Sequence, residues 1–482
     1  MDAYFAGMFV PTIVFTVLIS GTLSPIFIPI LLHGDVAENN AKLSETFSVV
    51  TTFVLFLLVV TIAAGMASVR WWLPLLFSGF SPNTTQMAVH LVYIIFPAVL
   101  FVALAGILTA VQNGFHRFAL AALAPALSSV TIIAAALFAR GVKAIYVVGF
   151  ATAIGFMLQF IFLLPATALL GIRYTFAINF SHPAVIKLLR LGIPLLLYLA
   201  VANASSFVER NLASQLAAGT VSTLTYAMRL FTIPANFFAA PMAIVAYPMF
   251  VREAARERRA DLCNQVSHIF RLICLLFLPL TVWVVLNSFP LTRCFYERGE
   301  FHLQDSFTTS RVLMLYGIGI LPNAIAVLLL RCFYATEDTI TPLLAELIDL
   351  GFYITTAMVL TKHFGIRGLA LTRGLTFFVV ALILIVVLQN RHNLLTIDLN
   401  FLDFFWRISV ATLAMAVVSW GTLHFLQPAF DSGRSPLRLA MMGVVSVTSG
   451  LTFLGAARLL RVREATYLFK RAVGLLGEWR LF

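Results

Sequence analysis

Charge is what this 482-residue chain has least of. Asp, Glu, Lys and Arg together make up 11% of it, against about 25% in soluble domains, which excludes a water-facing globular protein. Carboxylates are the scarcest: Thr46 to Val208 is a run of 163 residues without one Asp or Glu. An exporter driven by a cation or proton holds its coupling ion on a buried acid, and the first part of the chain offers none. Cysteine is nearly absent too. Cys263, Cys274, Cys294 and Cys332 show no C-x-x-C spacing, so each reads as a small buried residue rather than part of a disulfide or zinc framework. There is no G-x-x-x-x-G-K-[ST], hence no nucleotide-driven engine. No His, Cys and carboxylate cluster has metal-ligand spacing, and the lone intramembrane His90 reads as a packed residue rather than a proton relay. Nothing suggests covalent catalysis or a bound cofactor, so a non-enzyme is expected.

What the chain has instead is apolar length. It is 61% hydrophobic with 44 Phe, and its apolar runs continue for about 20 residues, the length a helix needs to cross the hydrocarbon. Transmembrane β-strands are about half that long and alternate. The fold class is therefore all-α and polytopic. Thirteen spans are predicted, near 3–32, 46–69, 87–111, 119–139, 145–170, 191–216, 222–249, 269–289, 312–330, 342–361, 368–389, 408–427 and 437–457. An odd number puts the termini on opposite sides.

Lys and Arg bias orients the chain. Eighteen basic residues fall in loops on the C-terminal side, among them Lys42, Arg173, Lys187, Arg190, Arg256 and Arg463, and ten on the other. The C-terminus is predicted to be cytoplasmic. The net charge of +12 then reflects anionic membrane lipids rather than nucleic acid. Met1-Asp2 leads directly into a span with no basic n-region, so no cleavable signal is read there, and either a first helix has been lost or the reading frame begins late.

Internal repetition points to two lobes. Phe77-Ser78-Gly79-Phe80 precedes a span containing Phe96-Pro97 and ending Leu108-Thr109-Ala110. Tyr296-Glu297-Arg298-Gly299-Glu300-Phe301 precedes one containing Leu321-Pro322 and ending Phe333-Tyr334-Ala335. Pro97 to Pro322 and Ala110 to Ala335 are both offset by 225 residues. The predicted organisation is an N-lobe over 1–170, a C-lobe over 171–400 and a C-terminal helix pair with a tail over 401–482, the lobes flanking a central cleft.

Charges at bilayer depth cost a few kcal/mol each and face a protein interior or a wet cavity. Glu209, Arg210, Arg229, Glu346, Asp349 and Arg373 lie in or beside spans. Glu346 and Asp349, three apart, share a helix face and repel unless a cation or an arginine sits between them. For each of these residues an interhelical ion pair competes with a cargo-binding role. Arginines at such depth suit an anionic cargo.

The stretch Glu209-Arg210-Asn211-Leu212-Ala213-Ser214, Gly219-Thr220-Val221-Ser222, Tyr226-Ala227-Met228-Arg229-Leu230 and Pro234 resembles the MurJ/MviN family, the lipid II flippases of the multidrug/oligosaccharidyl-lipid/polysaccharide exporter superfamily. Further matching passages run in order along the chain: Asp2-Ala3-Tyr4-Phe5 with Pro11 and Gly21, Phe27-Ile28-Pro29, Phe295 to Phe301, Cys332 to Ala335, and Asp338-Thr339 with Thr341-Pro342. The resemblance implies fourteen helices in two lobes, of which this chain starts at the second. It also implies cavity arginines that meet a lipid-linked diphosphate. Here the aligned positions on the first span are Phe15 and Thr16, the acidic position is Ser20, and Met228 stands where an acid usually precedes the retained Arg229. Asp2 keeps the acidic position at the outer end of that span.

The candidate substrate-binding residues are therefore Arg229, then Arg210 and Arg373, with Asp2. The resemblance implies an inner-membrane flippase whose partners are a polyprenyl-diphosphate-linked saccharide, membrane lipids and cell-wall synthesis enzymes. A cleft arginine would replace the hydration of the diphosphate by charge-assisted hydrogen bonds, and the last two spans would help hold the tail. Two alternatives stand beside it: export of another lipid-linked saccharide or an amphipathic drug, and a non-transporting envelope scaffold.

Overall fold

The computed structural model describes residues 1–19, 40–115, 117–141, 143–256, 258–432 and 435–465, which form helices joined by short turns, with no strand among them. Helix is the outcome that hydrocarbon enforces, because it satisfies every backbone N–H and C=O within one segment. Among the described residues ten helices are long and apolar enough to span a bilayer, eleven counting one bent pair. Ten of the thirteen predicted spans fall on one helix each, and those near 87–111, 222–249 and 312–330 each fall on a broken pair. The first is described only as far as Ile19, and its remainder, with Gly21 and the Phe27-Ile28-Pro29 passage, lies outside the described residues.

By packing the chain forms two compact units, Met1–Ser222 and Thr223–Phe482. The first holds α1 (Asp2–Ile19), α2 (Asn40–Leu76), α3 (Pro82–Ile95), α4 (Val99–Gly114), α5 (Phe118–Phe138), α6 (Ala144–Ala168) and α7 (Pro183–Ser214). Helix α7 packs on α2, so the chain beyond residue 170 belongs to this unit as far as Ser222. Next comes α8 (Thr220–Pro234), which begins at the end of the first unit and runs into the second. The second continues with α9 (Ala240–Ala255), α10 (Arg259–Leu286), α11 (Ser288–Tyr296), α12 (Leu303–Gly317), α13 (Ile320–Ala335), α14 (Ile340–Phe364), α15 (Ile366–Asn390), α16 (Leu399–Ser432) and α17 (Ser435–Leu459).

The two units repeat one plan. Helices α3, α4, α5 and α6 start at 82, 99, 118 and 144, and α12, α13, α14 and α15 at 303, 320, 340 and 366, an offset of 221 or 222 throughout. Pro97 sits in the 3₁₀ turn Phe96–Ala98 that interrupts the α3–α4 span. Pro322 opens α13 just past the 45° bend between α12 and α13. The hairpin turns repeat as well: Gly141 precedes α6 with φ +74, and Gly365 precedes α15 with φ +56, backbone that glycine adopts readily.

Small residues set the packing, as expected where lipid tails remove the hydrophobic drive between helices. A Cβ on Gly155 of α6 would meet Ser128 Cα of α5 at 2.9 Å, and one on Gly374 of α15 would meet the Leu315 carbonyl oxygen of α12 at 2.6 Å. Large apolar side chains such as Phe138, Phe425 and Leu459 point outward, toward lipid. Cys274, Cys294 and Cys332 are buried and Cys263 partly so. His90 differs from expectation: it lies exposed on α3, its ring 6.4 Å from that of Tyr146.

The C-terminal hairpin α16–α17 is fastened at both ends. At one, Arg271 of α10 pairs with Asp398 at 3.5 Å and Glu464 at 3.6 Å, and Arg407 donates to the Leu460 carbonyl at 2.7 Å. At the other, Glu297 accepts from Arg293 Nε at 2.7 Å and from Arg438 at 2.9 Å. Arg438 and Leu460 are separated along the helix by roughly 33 Å, close to the thickness of the hydrocarbon. The residues beyond 465, the predicted tail, lie outside the described residues.

Candidate functional site

Two of the four candidate residues converge on one turn. Gly219 stands at the N-terminus of α8 with φ +90, and as a glycine it has no side chain to cap the helix. Asp2, on the first turn of α1, supplies the missing acceptor. Its carboxylate takes hydrogen bonds from the Gly219 N–H at 2.6 Å, the Ser222 N–H at 2.8 Å and the Ser222 hydroxyl. A negative charge there also complements the helix dipole. Arg210, from the last turns of α7, donates to the Val221 carbonyl at 3.2 Å and lies 5.5 Å from the centroid of the Phe9 ring. Both charges are thus engaged by protein at the start of α8. Replacing Asp2 by alanine is expected to destabilise the protein by about 1–2 kcal/mol through loss of this cap. Asp2→Asn keeps only one acceptor oxygen and sets an NH2 donor against the other N–H, so it should recover only part of that loss. Thermal unfolding of the detergent-solubilised variants would measure both.

Arg229 lies three turns down α8, exposed, roughly 14 Å from the helix start. One turn before it, Tyr226 accepts a hydrogen bond on its carbonyl from the Tyr296 hydroxyl at 3.1 Å. The rings of Tyr226, Tyr296 and Phe301 form a cluster with centroids 4.8–5.7 Å apart. Burial pushes the Tyr296 phenol up to about 12, while the positive charge of nearby Arg229 pulls the other way. The Tyr296 to Phe301 passage thus makes an aromatic bed beside the arginine. Five residues on, α8 ends at Pro234 and the chain takes one wide π-type turn over Ala235–Ala239, a distortion common at functional sites.

Arg373 is placed differently. It is 7% exposed inside the second unit, with its guanidinium 4.2 Å from the centroid of the Tyr353 ring. Glu346 and Asp349 of α14 lie near enough for its charge to act on both, and the Thr376 hydroxyl donates to the Arg373 carbonyl at 2.9 Å. The arginine that the i, i+3 acid pair calls for is therefore this one, supplied by α15. Of the other aligned positions, Phe15 and Thr16 fall on α1, and Ser20 lies outside the described residues.

The sequence reading missed a polar clamp on α7. Asn211 donates to the Leu75 carbonyl at 3.0 Å and the Leu76 carbonyl at 3.2 Å, and the Gly79 N–H donates to the Ser214 hydroxyl at 3.2 Å. A Cβ on Gly79 would stand 2.2 Å from the Ser214 carbonyl oxygen, so only glycine fits this approach. The pairing of two glycine- or amide-bearing turns was the available signal, though nothing in spacing says which turn meets which.

The second unit also holds an apolar cavity of about 530 Å³ lined by Met242 of α9, Leu276 and Trp283 of α10, Met415 of α16, and Phe453 and Leu454 of α17. It lies against the C-terminal hairpin and suits a hydrocarbon chain rather than a headgroup.

Repeated broken-helix units of this kind define a class of membrane transporter. A solved structure of the lipid II flippase MurJ in an inward closed conformation has a TM-score of 0.79 at 22% identity, covering 95% of this chain and 92% of that one. An inward-facing multidrug-resistance MATE transporter of the MOP superfamily gives 0.69 at 14% identity, covering 82% and 91%. At such identities these likenesses establish the fold. The family follows from sequence: the family model described as Lipid II flippase MurJ matches residues 1–441, and the chain belongs to that family. The lipid II flippase MurJ of Burkholderia cenocepacia is 26% identical, over 98% of this chain and 92% of that protein. The probable lipid II flippase MurJ of Buchnera aphidicola subsp. Acyrthosiphon pisum is 23% identical, over 98% and 93%. Family and helices together make this a multi-pass bacterial inner-membrane protein.

Proposed function

We propose that this protein is a lipid II flippase, a transporter and not a catalyst, which moves the lipid-linked peptidoglycan precursor outward by alternating access and so serves cell-wall biogenesis. The observation that carries the reading is the family match over residues 1–441; Arg229, which the resemblance makes the counterpart of a cavity arginine, is exposed on α8 beside an aromatic bed. Arg229 meets the diphosphate of the cargo, where its planar fork can form paired charge-assisted hydrogen bonds. The aromatic rings next to it offer faces on which sugar rings pack. Arg210 and Asp2 position the start of α8, and Arg373 neutralises the acids of α14. The polyprenyl tail lies in the cavity against α16 and α17, so only the headgroup crosses. Cell-wall synthesis enzymes that consume the flipped precursor are the expected protein partners.

The reading is tested by expressing the full chain in a strain depleted of its own lipid II flippase. Restored growth and cell shape are expected, and failure of a membrane-inserted, well-expressed protein to restore either would count against it. Orientation is tested separately. With the C-terminus cytoplasmic, a reporter fused after Phe482 should be active only as a cytoplasmic fusion. A cysteine introduced between Arg256 and Asp261 should resist membrane-impermeant thiol reagents in intact cells, and labelling from outside would reverse the topology.

A further inference from the structure

The first unit holds a second cavity, of about 490 Å³, that the transport reading does not use. It is lined by Phe47, Thr51 and Leu55 of α2, Leu104 and Leu108 of α4, Phe160 and Leu164 of α6, and by Ile172 and Tyr174 of the segment leading to α7. At about 30 Å³ per water-sized group it has room for roughly sixteen such groups, the bulk of one long acyl chain. Leu164, Pro165 and Ala168 on its wall are exposed, so it opens sideways toward lipid.

Two features give the cavity polarity at one end. Thr51 is 5% exposed and its hydroxyl has no hydrogen-bond partner among the described residues. Thr61, Thr131, Thr152 and Thr167 in the same unit satisfy theirs on the carbonyl one turn back. A buried hydroxyl without a partner is costly unless a ligand supplies one. Just beyond it, the segment Ile172–Thr175 is stitched to α2: Arg173 N–H donates to Ser44 Oγ at 3.2 Å, Thr175 N–H to Ser48 Oγ at 2.9 Å, and the Tyr174 and Thr52 hydroxyls are 3.1 Å apart. Arg173 is exposed and stands between two lining residues. Lys42 and Lys187 flank the same end, with Glu45 as the acid among them. This is the end that the basic bias assigns to the cytoplasmic leaflet.

We propose that this cavity is a binding site for one anionic phospholipid of the cytoplasmic leaflet. One acyl chain fills the space between α2, α4 and α6, the Thr51 hydroxyl hydrogen-bonds the ester region, and Arg173 meets the phosphate. The site is separate from the cavity against α16 and α17, which the transport reading assigns to the cargo tail.

The test uses the full chain, purified in mild detergent and stripped of lipid, with phosphatidylglycerol or phosphatidylcholine added back and bound lipid counted by native mass spectrometry. The parent should hold one phosphatidylglycerol in clear preference to phosphatidylcholine. Leu164→Trp, which fills the cavity from its lipid-exposed wall, should lower that occupancy at least fivefold, and Leu104→Trp should do the same. Leu454→Trp, in the other cavity, should leave it unchanged. Thr51→Val should weaken retention about threefold to tenfold, the worth of one hydrogen bond. Arg173→Gln should abolish the preference for the anionic lipid while the chain is still held. Equal occupancy in the parent and both tryptophan variants overturns the proposal. So does displacement of the phospholipid by a polyprenyl phosphate whose own binding is lost in Leu164→Trp, because the site would then belong to the cargo tail.

Discussion

Arg229→Ala is expected to abolish rescue of a flippase-depleted strain, the largest functional effect that any single substitution in this chain should produce. Charge-assisted hydrogen bonds contribute about 1.5–3 kcal/mol each, and a diphosphate on an arginine fork uses two. Losing them at a step that replaces the hydration of two phosphates should slow flipping by at least a hundredfold. Arg229→Lys should rescue partly, since lysine offers a point charge where arginine offers a planar pair of donors. Tyr296→Phe separates charge from cradle. It removes the 3.1 Å hydrogen bond to the Tyr226 carbonyl but leaves the tilted and edge-on ring cluster, and should reduce rescue only modestly. Rescue by Arg229→Ala at the parent's level, with equal protein in the membrane, would remove Arg229 from the cargo path.

The same comparison shows what could be read before the fold was known. The spans were legible because the bilayer fixes their length, and the duplication was legible because each copy carries a proline beside its helix break, Pro97 in the 3₁₀ turn before α4 and Pro322 in the first turn of α13. The acid pair Glu346 and Asp349 even announced a buried cation, since two carboxylates three residues apart on one helix face cannot stand alone. What spacing could not tell is which arginine answers them. Arg229 and Arg373 both sit in apolar helices, and only the packing of α14 on α15 turns Arg373 inward, over Tyr353, while Arg229 is exposed. Asp2 was legible as an acid at a helix end, but the amides it caps lie more than 200 residues away, at a glycine whose lack of a side chain creates the need.

Glu297→Ala is expected to have the largest effect on stability. Its carboxylate is shared by two arginines, Arg293 and Arg438, whose side chains are 7% and 11% exposed. Ser306 donates to it as well, at 3.3 Å. Phe430 packs beside both guanidiniums, at 5.3 and 5.8 Å. Removing the acid leaves two like charges confined together, and breaking a buried pair in this way costs about 3–5 kcal/mol. In a unit of this size that corresponds to a fall in melting temperature of roughly 10 °C. The damage should be local, freeing the α16–α17 hairpin at its α11 end while the Arg271 contacts with Asp398 and Glu464 still hold the other. The pH dependence follows from the same geometry. Burial raises the Glu297 pKa, but the hydrogen bonds and charges of Arg293 and Arg438 outweigh it and hold the carboxyl below its ordinary value. Because the folded pKa is the lower one, this stabilisation is fully present above the unfolded carboxylate range and is lost as pH falls through the folded pKa. The parent should therefore lose melting temperature on acidification below about pH 4.3, the ordinary glutamate value, and Glu297→Gln, which cannot titrate, should lose less over the same interval. Parallel acid-melting curves for the two proteins would rule the network out as the source of that stability.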